Sequence, residues 1–468
     1  MTVVILGAGP CGMGAAWRLD ELGQEDFIVV EGSGQAGGLA SSYTDENGFV
    51  WDIGGHVQFS HYEDFDRVMD TVLPDGWLEH QRRAAVWVEG RFVPYPFQYN
   101  LWRLEAETVQ ACMDGLVEIQ ASTDTAQPAH FGEWIHKDFG RGIADVFMRP
   151  YNFKVWAHPL EKLSYGWIGD RVAQVDIERL HRNAESQLDD VAWGPNATFR
   201  FPKEDGTGAI WRSAARHIGE SKFRLNSRVI GLDLNAHTLH LSDGSEMVYD
   251  QLLSTIPLTR LAHAAGIEVG GKLSSSDVHV VGIGLRGTPK SELRDMCWMY
   301  FPEDDCPFYR ATVFSNYSPR NVPDPTRNWS LMCETSSSAY KPVAASEIVE
   351  MTIKGLLATG LIESADDIIS TWHHLAAPGY PTPTLDRDSI VDPLLAEFAR
   401  YDVHSRGRFG AWKYEISNQD HTFMQGFEWA DRLLGGEEEE TITDPAGING
   451  SGKRTMRKRP SGGRAEAD

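Results

Sequence analysis

Residues 2–12 read TVVILGAGPCG. The first five form a buried-strand run. Gly7, Gly9 and Gly12 then occupy the turn before a helical pattern through Ala15, Ala16, Leu19 and Leu22. A second strand, FIVVE (27–31), ends on an acid, Glu31. Strand, glycine turn, helix, strand and acid in this order open a dinucleotide-binding fold. The glycines let backbone approach a pyrophosphate at a helix N-terminus, and the carboxylate accepts from a ribose hydroxyl. Context decides this reading. GIGLRG (282–287) has the same spacing, but TPKSELRD after it opens no amphipathic helix, so it reads as a glycine-tolerant strand end.

Working outward, GQAGGLASS (34–42) follows Glu31 at once. A second glycine-rich turn there favours FAD over NAD, because extra backbone amides then wrap the ribitol and phosphates. DIGGHVQFSHY (52–62) leaves a short apolar run through two glycines, Gly54 and Gly55, and then His56. Glycines at that point weaken regular structure, and they allow close backbone approach to a flat ligand.

From about 99 to 190 the pattern is helical and polar, and LLSTIP (252–257) returns as a strand. Short β-rich runs dominate 276–335. A final helix starts near Asn418–Thr422, where its N-terminus suits a flavin's electron-rich N1/O2 edge. The expected class is α/β: an FAD-binding Rossmann-like domain with an inserted helical domain and an antiparallel β-sheet domain. The boundaries are 1–80, 200–275 and 400–436 for the first, 99–190 for the second, and 81–98 with 276–399 for the third. EEEE (437–440) reads as a solvated face and KRTMRKRP (453–460) as a basic end, so 437–468 is expected to be a disordered tail.

Composition narrows the function. A formal net charge of −24 argues against nucleic acid and anionic membranes as partners. It leaves room for an anionic small ligand held by local arginines, since screening acts over ~8 Å. Fifteen tryptophans exceed what a generic core needs and suit a pocket for a flat or sugar-like ligand. Five scattered cysteines without a CxxC pair suggest reduced thiols in a cytoplasmic protein and no zinc site. With the first strand at Thr2, no signal peptide is expected before it.

Longer blocks carry a family resemblance. GGLASS (37–42), DIGGHVQFSHY, VPYPFQ (93–98), FMRPYNFKVWAHP (147–159), WGPNATFRFP (193–202), YFPEDDCPFYRATVFSNYSP (300–319), GYPTPTL (379–385) and SRGRFGAWKYEISNQDH (405–421) resemble the eukaryotic-type UDP-galactopyranose mutases, in order over about residues 2–434. Thr422 stands where a serine is common, and the loop after Pro319 is shorter than in fungal relatives.

The resemblance implies a flavoenzyme isomerase that interconverts UDP-galactopyranose and UDP-galactofuranose. In that family N5 of reduced FAD attacks the anomeric carbon and holds the sugar covalently while the ring is rebuilt. It implies FAD contacts at Gly7, Gly9, Gly12, Glu31, Gly38, Gly54, Gly55, Val229, Asn418, Gln419 and Thr422. His56 is implied at the flavin's N5/C4=O edge, on a loop that moves with redox state, and Arg171 and Arg310 as the diphosphate clamp. Tyr317, Tyr380 and Tyr414 are implied at the same phosphates, Tyr95, Phe97, Gln98, Asn152 and Trp156 at uridine, and Arg82 and Trp298 near the sugar. NADPH is the reductant such relatives use. A homo-oligomer is left open, and no metal is implied. The alternative is a flavin-dependent amine-oxidase or desaturase-like oxidoreductase, since the nucleotide fold alone does not separate the two.

Overall fold

The computed structural model describes residues 1–169, 172, 175–191, 194, 197–269, 273–450 and 452–457. Its organising element is a five-stranded parallel sheet in the order Val403–Ser405, Gln251–Ser254, Val3–Leu6, Phe27–Val30, Phe223–Arg224. Val3 pairs in register with both Gln251 and Phe27, which puts the opening strand at the centre. Every residue from Val3 to Leu6 is fully buried, as a strand covered on both faces requires. Alternation sorts them. Val3 and Ile5 join a core with Trp17, Phe65, Trp211 and Phe427, whereas Val4 and Leu6 face Leu241, Leu252, Phe398 and Trp412.

A second sheet has seven strands in the order Ile368–Pro381, Ser275–Arg286, Asn328–Ser337, Arg310–Val313, Trp298–Tyr300, Ala84–Val88, Arg91–Pro94. All neighbours run antiparallel except Trp298–Tyr300 beside Ala84–Val88. All of the GIGLRG segment but Gly287 lies at the end of its long second strand. A Cβ at Gly282 would sit 2.6 Å from the Trp51 ring, and one at Gly284 2.7 Å from Phe49. Those glycines make room for two aromatic rings, not for phosphates.

The helical unit contains Ala106–Ala121, Phe131–Ile143, Arg149–Trp156 and Ile177–Ser186, closed around Leu116, Phe131, Phe139, Phe147 and Trp156. Among the described residues no helix is long and apolar enough to cross a membrane. All five cysteines are buried and unpaired.

The tail corrects the sequence reading. Glu440–Thr443 and Pro445–Gly450 are helical, and Glu439 and Thr441 are buried. Glu439 takes Arg406 at both carboxylate oxygens, at 2.6 and 2.9 Å, and Arg432 at 2.6 Å. Further on, the Arg454 amide donates to the His61 carbonyl at 2.7 Å and its carbonyl accepts from Glu63 N–H at 2.9 Å. Arg457 pairs with Asp431 at 3.1 Å. An acidic run followed by a basic one looks solvated in sequence. Here each finds opposite charge on the nucleotide domain, far away along the chain. Residues 451 and 458–468 lie outside the described residues.

Candidate active site

The larger cleft, about 610 Å³, is built where two helices begin. Pro10–Glu21 starts after Gly9, and Gln419–Gly435 starts after Asn418; neither start has a side-chain cap. Each therefore presents unsatisfied N–H groups and the positive end of a helix dipole to the cleft. Glycines bring the two helices together. A Cβ at Gly14 would overlap the Phe423 carbonyl, and one at Gly426 the Cys11 carbonyl. Gly12 backs directly onto the Gly7 carbonyl, so it shapes the turn without lining the cleft.

Glu31 lines the cleft with its carboxylate fixed by the Ala8 and Ser33 amides, both at 2.8 Å. A Cβ at Gly38 would lie 3.1 Å from the Gly9 Cα, so the two glycine turns form one cradle that side chains would fill. Gly7, Gly9, Gly38, Gly54, Gly55, Asn418, Gln419 and Thr422 complete this wall. The Thr422 hydroxyl turns back to the Asn418 carbonyl at 3.0 Å, and Gln419 accepts from the Trp211 indole at 3.0 Å. Val229 is not brought here. It sits on a separate three-stranded sheet paired with Leu241.

His56 also lines this cleft, after Gly54 at φ +104°. Its Nδ1 is buried with no hydrogen-bond partner in the protein. Burial lowers its pKa to about 4, and the charges of Arg408 and Arg310 add to this against Glu334. The ring is therefore a neutral imidazole at pH 7.

A smaller chamber of about 310 Å³ adjoins the cleft. Arg82, Tyr95, Asn152, Trp156, Arg310, Tyr380 and Tyr414 line it. Arg310, Tyr380, Tyr414 and Asn418 belong to both walls, so the two spaces meet there. Phe97, Gln98, Trp298 and Tyr317 are not brought to the lining. Phe97 is fully buried beside Phe147, with centroids 5.0 Å apart, and Gln98 is buried with it. Trp298 is buried and donates to the Tyr300 hydroxyl at 2.6 Å. Tyr317 packs among Phe199, Phe201 and Phe314. Arg171 lies outside the described residues.

The sequence reading also missed wall residues: His61, Tyr151, Trp167, Tyr300, Tyr309 and Asn449 in the chamber, and Arg408 and Glu334 in the cleft. Most fall inside or beside the matched blocks, where a contiguous match does not separate pocket residues from core. Asn449 gave no signal, because the tail matched nothing. His61 Nδ1–H donates to the Asp420 carboxylate at 2.7 Å, and the ring stacks on His421 with centroids 4.6 Å apart. The ligand atoms of His61, Asp420 and His421 lie within 4.8 Å of one another, and the two imidazole planes are 22° apart.

Comparison with known proteins places this geometry. Residues 10–275 match the family of flavin containing amine oxidoreductases. A crystal structure of a reduced UDP-galactopyranose mutase superposes with a TM-score of 0.94 at 46% identity, covering 97% of this chain and 98% of that one. The chain belongs to the UDP-galactopyranose mutase family. Two less similar structures share only the fold with this mutase. A putative protoporphyrinogen oxidase from Exiguobacterium sp. aligns at TM-score 0.68 with 13% identity, covering 92% and 98% of the two chains. A putrescine oxidase aligns at 0.61 with 15% identity and the same coverage. The cradle of paired glycines, the two uncapped helix starts and the unpartnered imidazole nitrogen of His56 on the cleft wall fit a bound FAD.

Proposed function

We propose that this mutase interconverts UDP-galactopyranose and UDP-galactofuranose, with FAD held in the larger cleft and active in its reduced form. The observation that carries the reading is the junction of the two spaces at Arg310, Tyr380 and Tyr414. A nucleotide-sugar in the chamber would reach the cleft wall where Gly55 and His56 lie. When bound and reduced, FAD supplies a nucleophilic nitrogen for the anomeric carbon, so ring exchange needs no side-chain nucleophile.

The protein's own tasks follow from that chemistry. Arg310 offers fixed positive charge to a diphosphate in a molecule whose net charge of −24 repels it. Burial raises the hydroxyl pKa of Tyr380, so it stays protonated and serves as a donor to a phosphate oxygen, whereas the single Tyr309 proton is given to Glu334. Tyr151, Trp156, Trp167 and Tyr300 exclude water from the open sugar and give uracil faces to stack on. His56, as a neutral imidazole, places one donor and one acceptor at the flavin's edge and holds no positive charge there. NADPH as reductant and a cytoplasmic location complete the proposal.

The test is direct. Dithionite-reduced protein is expected to convert UDP-galactofuranose to UDP-galactopyranose, and oxidised protein is not. Equal conversion by the oxidised form would overturn the requirement for reduced flavin, and stoichiometric hydrogen peroxide from an amine with no conversion of the nucleotide-sugar would overturn the mutase reading in favour of an oxidase.

A further inference from the structure

The carboxylate of Glu334 accepts from four donors on two stretches of chain. It sits within the strand Asn328–Ser337 and is 2% exposed. Oε1 accepts from the Gly55 amide at 3.0 Å and from Arg310 Nε at 2.8 Å. Oε2 accepts from Arg310 Nη2 at 2.7 Å and from the Tyr309 hydroxyl at 2.7 Å. The Tyr309 hydroxyl in turn lies 3.3 Å from that of Tyr380. The about four lone-pair sites of a carboxylate are thereby filled.

Burial pushes the Glu334 carboxyl up, but the Arg310 charge and the bonds from Arg310, Tyr309 and Gly55 outweigh it and hold it below the usual range. The group is an anion at neutral pH. It grips the guanidinium along its Nε/Nη2 edge, which orients the planar fork and leaves the Nη1 end for a ligand. Arg310 lies where the substrate chamber meets the flavin cleft and lines both, whereas Glu334, Gly55 and His56 line the cleft alone. Glu334 joins the two.

We propose that Glu334 is a positioning residue that couples the two spaces, so that a diphosphate drawing on Arg310 alters the hold on the Gly54–Gly55–His56 loop at the flavin's edge. The inference rests on the mutase reading. Phosphate oxygens compete with Glu334 for the same guanidinium through charge-assisted bonds. A buried carboxylate does not tolerate losing donors, so any loosening of Arg310 redistributes Oε1 and Oε2 towards Gly55 N–H and Tyr309. The differential contact that a ligand needs in order to shift an arrangement is then the Arg310–Glu334 pair itself.

The experiment titrates UDP into oxidised holoenzyme, following binding by calorimetry and the flavin's visible absorption in parallel. Wild type is expected to bind UDP and to change the flavin spectrum. Glu334→Gln is expected to keep FAD and to bind UDP, with the spectral change at saturation reduced by about fivefold or more. Its kcat should fall much more than its KM changes. Glu334→Asp keeps the charge that pairs Arg310, and so protects the fold, but is too short to reach Gly55 and Arg310 together. It is expected to bind UDP with a similarly weakened spectral response. A full spectral change in either variant overturns the coupling while leaving the mutase reading intact. Wild-type protein that fails to bind UDP overturns both.

Discussion

Replacing Glu439 with Gln tests whether the C-terminal segment is a packed strap. The side chain is 5% exposed and holds Arg406 at both oxygens, at 2.6 and 2.9 Å. Arg406 is itself only 13% exposed, whereas Arg432, the third member, is 39% exposed and screened by solvent. The Arg406 pair therefore carries the effect. Removing one partner of a buried pair costs about 3–5 kcal/mol, and we take the lower end, about 3 kcal/mol. That raises the population of detached strap by roughly two orders of magnitude.

Trypsin reads this population at Lys453 and Arg454, because the backbone of Arg454 is bridged to His61 and Glu63 while the strap is down. Native-state cleavage there should be about 100-fold faster in Glu439→Gln than in wild type. Asn449 leaves the chamber wall with the strap, so KM for the nucleotide-sugar should rise as well. Burial raises the Glu439 carboxyl, but the bonds and charge of Arg406 outweigh this and keep it below its ordinary 4.5. The contribution is thus complete above that value and is lost as pH falls below it, so the difference between the proteins should close in acid. Equal cleavage of wild type and variant at neutral pH, or immediate cleavage of wild type, would refute the packed strap.

Three further outcomes are expected. Arg310→Ala should weaken UDP binding more than tenfold, about 1.4 kcal/mol or more, by calorimetry; unchanged affinity removes Arg310 from the site. Tyr317→Phe should leave UDP affinity unaltered and stability equal or up to about 1 kcal/mol higher, since its hydroxyl is buried without a hydrogen-bond partner; a tenfold loss of UDP affinity would place it at the ligand after all. In flavin-free protein, His56 is more easily protonated unfolded, at about 6.5, than folded, at about 4. Its contribution is therefore complete above about 6.5 and lost as pH falls towards 4, at most ~3 kcal/mol. Urea titrations of His56→Asn across that window should show a shallower loss of stability than wild type; parallel curves would refute the assignment.

Much of this protein is legible without coordinates. TVVILGAGPCG and FIVVE determine a central parallel pair, because an apolar run can only sit between two covering layers and because the turn needs glycine at Gly7, at φ +98°, and at Gly12, against the Gly7 carbonyl. The second glycine turn, the Gly54–Gly55–His56 loop and the start of the last helix are local features, and they appear where their residues predict. Local chemistry does not say which side of a matched block faces a ligand. Phe97 and Tyr95 are two residues apart, yet one is core and the other lines the chamber. A turn that tucks under the helical unit decides this, and its direction depends on packing partners distant in the chain. Nor does sequence pair distant charges. Glu334 with Arg310 and Gly55, and Glu439 with Arg406, are joined only when strands and helices from separate segments dock. Burial then turns solvated ions into fixed contacts, because a charge removed from water persists only where an opposite charge or a donor meets it.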